Sequence, residues 1–208
     1  MLPEGFSSDR GPRNTYTFNP IEDMLKDKYV SMLMEIHTSK NFGMNAQPND
    51  NYNGCGFSIT GGYCRNHMLS IQAVTDVDIV TNSIDTTAQL FSEFYPDISE
   101  NRTIRTFRIP DNTMHILPYP YYYVVNNRTH IMIDPARFDF TINLGCISMV
   151  DGKLYVPPVT LFDIKNKIIR PCMTSFGANY SPSSIMLLSV ILRAIRFSLK
   201  FDMVVRIW

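Results

Sequence analysis

The chain has 208 residues, 45% of them hydrophobic and 18% charged, which is typical of a core-forming protein and excludes a disordered chain. Nineteen basic residues balance nineteen acidic ones, so the chain lacks the basic excess of a general polyanion binder. The N-terminus, Met1–Gly5, shows no basic region followed by an apolar run, and we expect no signal peptide. The most apolar stretch, Ile185–Leu192, is too short to span a membrane, so an intracellular protein without a membrane span is predicted.

The N-terminal part of the chain divides into an arm and the start of a domain. Residues 1–18 lack an apolar period and hold proline, glycine and serine among charges, which predicts an extended arm. Residues 19–208 are predicted to form a single globular domain. Asn19 and Pro20 suit the cap and the first position of a helix, and apolar residues then recur at helical spacing, which predicts a helix over about 20–36.

The middle of the chain changes from loop to strand character. Residues 39–66 are rich in asparagine and glycine and are interpreted as a long loop, and a short helix is predicted from Asp85 to Phe94. From Arg102 to Ile169 the pattern favours strands. Asn126-Asn127 and Asp151-Gly152 each lie between two strand-like runs, which predicts two hairpins.

Two further segments of this region are predicted to be strands. Phe138, Phe140 and Ile142 alternate with polar residues, as in a half-buried strand, and Val159–Ile164 is interpreted as another strand.

The last predicted element is a C-terminal helix. Ser181 can cap it, and Ser183–Lys200 is apolar almost all round for two turns, which predicts a buried helix. The whole pattern predicts an α+β fold. Its core would be an antiparallel β-sheet or sandwich, accompanied by an N-terminal helix, the long C-terminal helix and the extended arm.

A cysteine and histidine cluster is the first candidate for chemistry. Cys55, Cys64 and His67 are close in sequence, and a thiol beside a histidine can act as a nucleophile. A zinc site would need two close ligand pairs, and only Cys64 and His67 have that spacing. Structural cysteines, or a Cys55–Cys64 disulfide after oxidation, are therefore favoured, and no metal site is predicted.

No established catalytic motif is recognised in the chain. The four glycines near Cys55 are not followed by the lysine of a P-loop and lack the spacing of a dinucleotide turn. No pair of acidic residues is singled out by its spacing, and the four histidines are scattered. We therefore expect no catalytic residue, no cofactor-binding residue and no enzyme activity.

A run of tyrosines and prolines is the most distinctive segment. It spans Pro118–Tyr123, and its tyrosines combine a large rigid contact area with a hydroxyl group, as is common at protein interfaces. Self-contact through Tyr119, Tyr121, Tyr122 and Tyr123 is predicted, with a partly exposed strand as the alternative. Together with the neutral charge and the arm, this favours a structural protein that assembles with copies of itself and has no specific nucleic-acid partner.

In length and general character the chain resembles the occlusion-body (polyhedrin-like) matrix proteins of insect viruses, of the nudivirus type. The resemblance covers the character of the whole chain and rests on no diagnostic motif. It implies a viral protein that forms a protective crystalline lattice in occlusion bodies of the host cell, with itself and virions as partners.

A crystalline lattice of this chain is expected to be sensitive to alkali. Tyrosine, cysteine and lysine titrate near pH ~10, ~8.5 and ~10.4, so a neutral lattice would become anionic and is expected to dissolve above about pH 10. The alternatives are a viral capsid or matrix subunit and a small enzyme with a Cys/His site.

Overall fold

The computed structural model describes residues 16–39, 56–72, 76–100, 103–118, 120–172 and 184–206. The strands are β1 (Asn19–Asp23), β2 (Phe57–Thr60), β3 (Val77–Thr81), β4 (Arg105–Ile109), β5 (Asn112–Leu117), β6 (Pro120–Val125), β7 (Arg128–Ile133), β8 (Cys146–Ser148), β9 (Lys153–Val156), β10 (Ile168–Ile169) and β11 (Val204–Val205). The α-helices are α1 (Lys28–Ser39), α2 (Gly62–Met68), α3 (Ile84–Ser92), α4 (Pro158–Lys165) and α5 (Ser184–Phe201). Two 3₁₀ turns lie at Pro135–Arg137 and Thr141–Asn143.

The chain divides into two compact units. The sheet unit comprises Pro20–Asp134 and Cys146–Tyr155, and the helical unit comprises the described parts of the remainder. Residues 1–15 of the predicted arm lie outside the described residues. The division into an arm at 1–18 and one domain at 19–208 stays a prediction.

The sheet unit is built on seven strands in the order β1-β9-β8-β2-β3-β5-β4. β2 pairs antiparallel with β3 and β8, and β4 pairs antiparallel with β5, whereas β3 and β5 run parallel. A separate hairpin joins β6 and β7. Aromatic rings fill the core beside β2 and β4: the ring centroids of Phe57 and Phe91 are 5.4 Å apart, and those of Phe91 and Phe107 are 5.9 Å apart. The apolar sides of the central strands thus meet α3.

The helical unit has its own core. Its fully or almost fully buried members are Phe140, Ile142, Ile169, Ala194 and Met203. The Phe140 and Phe197 rings pack with centroids 5.6 Å apart. Because α5 contributes to this core on one side, the helix is fixed by tertiary packing as well as by its own propensity.

The α+β class and the C-terminal helix are confirmed, but the antiparallel sheet or sandwich is wrong in detail. The main sheet is mixed, because β3 and β5 pair in parallel with Asp78 opposite His115. A parallel pair needs a crossover connection, and here α3 and β4 lie between the two strands. The local patterns of single strands did not report this long-range pairing.

The predicted N-terminal helix begins later than expected. Asn19–Asp23 forms strand β1, and α1 starts at Lys28. The cap is Asp27, whose Oδ1 accepts hydrogen bonds from the backbone N–H groups of Tyr29 (2.9 Å) and Val30 (3.1 Å). Asp27 satisfies the first amide donors of the helix, as a side-chain cap does. Asn19 and Pro20 match the residue types of a helix start, but they lie in strand β1 and cap no helix.

Two predicted strands are also wrong. Phe138–Ile142 contains an isolated bridge from Phe140 to Pro171 followed by a 3₁₀ turn, and Val159–Ile164 lies within α4. Proline at the first position of α4 favours a helix start. The hairpins are confirmed: Asn126 and Asn127 have φ of 51° and 60°, and Gly152 has φ of 67°, the left-handed region that these turn residues tolerate.

Helix α5 differs from the predicted buried helix. Its exposed apolar side chains form a stripe, which we call the α5 stripe: Leu188 (56% exposed), Ile191 (39%), Leu192 (58%), Ile195 (49%) and Leu199 (81%). The opposite face carries buried Ala194. Along the described residues, no helix combines the length and the apolar character that a membrane crossing needs.

Candidate functional site

Two carboxylates lie on one face of strand β3. Side chains alternate along a strand, so Asp76, immediately before β3, and Asp78, within it, point to the same side. Val77 and Ile79, which point to the other side, are fully buried. Asp76 is exposed and Asp78 is half-buried. The core therefore fixes the backbone of the strand while both carboxylates remain accessible to solvent.

The neighbouring strand β5 supplies one polar side chain to each carboxylate. Thr113 Oγ1 donates a hydrogen bond to Asp76 Oδ1 at 2.6 Å, and His115 Nδ1 lies 3.5 Å from Asp78 Oδ1. The contact with Asp78 raises the pKa of His115 against the opposing effect of burial, and Asp76 adds to the rise. These four side chains form what we call the carboxylate site: Asp76, Asp78, Thr113 and His115.

A strand, a glycine turn and a short helix adjoin the carboxylate site. Strand β2 ends at Thr60, which pairs with Asp78, and Gly61 follows with φ of 72°, a conformation that glycine adopts without steric cost. In α2, Arg65 is buried, and its Nε and Nη2 donate to Asn66 Oδ1 at 3.1 and 2.9 Å. Burial lowers the pKa of Arg65, and the charge of Asp78 opposes this. The structure thus holds a buried cation within electrostatic reach of Asp78.

The donor set of the carboxylate site suits a magnesium-type ion. Mg²⁺ in enzymes of phosphate chemistry is bound by one or two carboxylates together with waters and substrate phosphates, not by a complete protein cage. Asp76 and Asp78 match that description. The described residues contain no group of three or more histidine, cysteine, aspartate or glutamate side chains arranged to hold a metal ion.

The predicted Cys/His cluster does not form a reactive pair in the described structure. Cys64 is a free, fully buried thiol whose Sγ contacts Ile59 O at 3.7 Å, and burial raises its pKa well above the usual value. His67 Nε2 instead lies 2.9 Å from Glu22 Oε2. A thiol with a raised pKa is a poor nucleophile, so these contacts give no support to a Cys/His enzyme site. Cys55 lies outside the described residues, and the Cys55–Cys64 disulfide stays a prediction.

The tyrosine segment forms most of strand β6. Tyr122 pairs with Ile131 and is 37% exposed, whereas Tyr121 and Tyr123 are half-buried. Tyr119 lies outside the described residues. A self-contact surface at these tyrosines stays a prediction.

Sequence reasoning missed the carboxylate site although a signal was present. Asp76-Val77-Asp78 opens a β-branched run, and a spacing of two residues on a strand places both carboxylates on one face. The glycines were compared only with P-loop and dinucleotide patterns, which Gly61 and Gly62 do not match. The contributions of Thr113 and His115 could not be found, because they depend on the parallel pairing of β3 with β5.

Comparison with known proteins gives the fold of the chain. No family model matches the sequence, and no curated protein matches it. Among solved structures, a CCA-adding enzyme in apo form I is 22% identical, with a TM-score of 0.63, and the match covers 91% of this chain and 43% of that chain. The CCA-adding enzyme of Thermotoga maritima, in complex with tRNA, is 20% identical with a TM-score of 0.61, over 91% and 43% of the two chains.

A third structure extends the same likeness. A tRNA nucleotidyltransferase in complex with a primer tRNA and an incoming ATP analogue is 21% identical with a TM-score of 0.56, over 84% of this chain and 46% of that chain. The chain therefore spans less than half the length of these enzymes.

These matches overturn the functional predictions. The polyhedrin-like, occlusion-body resemblance is wrong, because the structures that share this fold are tRNA-processing enzymes. The predictions of a non-enzyme, of a viral lattice that dissolves in alkali, and of partners limited to itself and virions are wrong for the same reason. So is the exclusion of a specific nucleic-acid partner, since two of these structures contain tRNA. The described chain has the fold of CCA-adding tRNA nucleotidyltransferases.

Proposed function

We propose that the chain is a nucleotidyltransferase module that joins a nucleotide to the 3′ end of an RNA, with tRNA as the first substrate to test. The observation that carries the proposal is the pair Asp76 and Asp78 on one face of β3. Support comes from the fold, which is that of enzymes solved with ATP, with CTP and with tRNA. A fold alone hosts many functions, so the carboxylate pair carries the chemical argument.

Asp76 and Asp78 would hold the divalent ion. When bound, such an ion neutralises phosphate charge and lowers the pKa of a coordinated hydroxyl, which favours in-line attack on a phosphorus atom. The residues of this chain supply the frame: Val77 and Ile79 anchor β3 in the core and keep both carboxylates on the open side. Arg65 contributes a positive charge that partly offsets the negative charge of Asp78 before substrate arrives.

Asp76→Asn and Asp78→Asn test the proposal directly. The full chain is incubated with Mg²⁺, labelled CTP or ATP, and tRNA that lacks its 3′ CCA. Each substitution removes a negative oxygen ligand with little change in volume, and we expect the incorporation rate to fall roughly a hundredfold or more. The variants should also lose Mn²⁺ binding, measured by electron paramagnetic resonance in the presence of a non-hydrolysable ATP analogue.

Asp111→Asn is the matched control. Asp111 is an exposed aspartate that pairs with Lys28 at 2.8 Å, and it is not part of the carboxylate site. Its variant should retain incorporation and Mn²⁺ binding. If Asp76→Asn and Asp78→Asn incorporate nucleotide at the wild-type rate, the proposal is contradicted. Failure of the wild type to bind Mn²⁺ would contradict it as well.

A further inference from the structure

Each carboxylate of the proposed site is held by a different side chain of the adjacent strand. Strands β3 and β5 pair in parallel, with Val77 opposite Met114 and Asp78 opposite His115. The register places Thr113 beside Asp76, where its hydroxyl donates at 2.6 Å. The His115 ring lies at ion-pair distance from Asp78, 3.5 Å between Nδ1 and Oδ1. Both contacts involve an Oδ1 atom, so one oxygen of each carboxylate has a protein partner from β5.

The two contacts restrict how the carboxylates can turn. An aspartate on a strand can rotate about χ2 over a broad range, and binding an ion in a fixed orientation then costs rotational entropy. A donor that engages one oxygen limits this rotation and leaves the second oxygen to face the ligand, as outer groups around metal ligands commonly do. Because strand β5 lies within the sheet, between β3 and β4, both donors stand on a rigid element.

We propose that Thr113 and His115 are positioning residues that hold the carboxylates of Asp76 and Asp78 in the orientation that binds a divalent ion. The inference rests on the proposed function and adds to it two residues that do not themselves contact the substrate. It assigns the second strand of the site a role in ion affinity: β3 supplies the charge, and β5 supplies the orientation.

The test compares variants that remove each donor with variants that keep it. Thr113→Val removes the hydroxyl at nearly constant shape, and Thr113→Ser keeps it. His115→Leu removes the ring donor, and His115→Asn keeps an amide N–H close to the position of Nδ1. Mn²⁺ is titrated into the full chain with a non-hydrolysable ATP analogue, at one pH and one salt concentration, and is followed by electron paramagnetic resonance.

We expect Thr113→Val and His115→Leu each to weaken Mn²⁺ binding by about 10- to 100-fold, the usual effect of losing a group that orients a metal ligand. Thr113→Ser and His115→Asn should stay close to the wild type. In incorporation assays the loss should appear as a higher Mg²⁺ concentration for half-maximal rate, with an unchanged KM for tRNA. A merely structural role of the two residues would lower the melting temperature without this selective change.

Two control variants carry the same chemical changes elsewhere in the sheet unit. Thr129→Val alters a half-buried threonine of β7, and His67→Leu removes a histidine that pairs with Glu22 at 2.9 Å. Neither should affect Mn²⁺ binding. If Thr113→Val and His115→Leu bind Mn²⁺ like the wild type while Asp76→Asn and Asp78→Asn do not, the positioning role is overturned and the proposed function stands. If the wild type itself binds no Mn²⁺, both are overturned.

Discussion

At the scale of single residues, His130 is the side chain whose burial has the clearest consequence. It is 1% exposed, its Nδ1 lies 2.9 Å from Ser148 Oγ, and its ring packs 4.7 Å from that of Tyr155. Burial lowers the pKa of His130 below the ordinary value of 6.5, and Arg128 acts in the same direction, whereas Asp151 opposes both. Burial lowers the pKa of His37 as well. Both imidazoles therefore accept a proton at lower pH in the folded chain than in the unfolded chain.

This predicts a loss of stability in mild acid. Below pH 6.5 the unfolded chain binds protons that the folded chain accepts only at lower pH, so the free energy of unfolding falls as the pH decreases. Above that value both states are neutral and the effect is absent. Urea denaturation at pH 7.5 and 5.5 measures the difference, which His130→Gln should reduce. His67→Gln, at a partly exposed histidine, is the control, and an equal reduction in both variants would contradict the assignment to His130.

The carboxylate site shows what residue patterns can reveal. Asp76 and Asp78 could be placed together from their spacing alone, because the alternation of side chains is a local property of a strand. His115 is one of four histidines in the chain, and nothing in its immediate sequence marks it. Only its register opposite Asp78 gives it a role, and that register is set by contacts far apart in the chain.

At the scale of elements, helix α4 is joined to its surroundings in the helical unit by a buried ion pair. Asp163 is fully buried and accepts hydrogen bonds from Arg170 Nη2 at 2.8 Å and from Thr141 Oγ1 at 2.6 Å. The Arg170 side chain is 17% exposed. Burying a carboxylate is costly unless its oxygens are satisfied, and here the two donors satisfy them.

Removing one partner of this pair should be strongly destabilising. We expect Asp163→Ala to lower the free energy of unfolding by about 3–5 kcal/mol, because it leaves a largely buried guanidinium without its carboxylate. Urea denaturation measures it. Asp202→Asn is the control. Asp202 pairs with Lys167 at 2.7 Å on the surface, and asparagine tolerates the positive φ of 52° at this position, so no measurable change is expected. A change as small as that of the control would contradict the buried ion pair as a source of stability.

The α5 stripe leads to a prediction of a different kind. Contiguous exposed apolar side chains of this sort bind hydrophobic dyes and contribute little to folding. The double variant Leu192→Gln/Leu199→Gln should reduce the fluorescence of the dye anilinonaphthalene sulfonate and change the stability by less than about 0.5 kcal/mol. Ala194→Leu, on the buried face, should instead destabilise the chain by about 1–3 kcal/mol through overpacking. Unchanged dye binding in the double variant would contradict the exposure of the stripe.

Elements marked by turn chemistry were predictable, and elements marked only by apolar alternation were not. Asn126-Asn127 and Asp151-Gly152 form the expected hairpins, because positive φ at these residues is a local requirement. Phe138–Ile142 alternates like a strand, yet Phe140 and Ile142 reach the core of the helical unit through a 3₁₀ turn. A short alternating run can serve either geometry, and tertiary packing decides between them.

At the scale of the whole molecule, composition correctly indicated a core-forming protein but led to a wrong prediction of function. Much of the apolar and aromatic content lies in the cores of the two units and in the α5 stripe. A net charge of zero describes the sum over the chain, whereas the carboxylate site depends on where a few charges stand. Function follows from that local placement, which composition does not report.

The strand order of the sheet also determines which strand edges are unpaired while the chain is being synthesised from its N-terminus. β1 and β2, near the start of the described chain, are joined in the sheet by β9 and β8, which follow Gly145. Met24 N donates to Gly152 O at 2.9 Å across this closure. A nascent chain that has not yet reached Ser148 lacks strand β8 and therefore exposes one edge of β2. Exposed strand edges invite pairing with other chains. The edge stays open from the synthesis of β2 to the synthesis of β8. We expect the growing polypeptide to need a chaperone most during this interval.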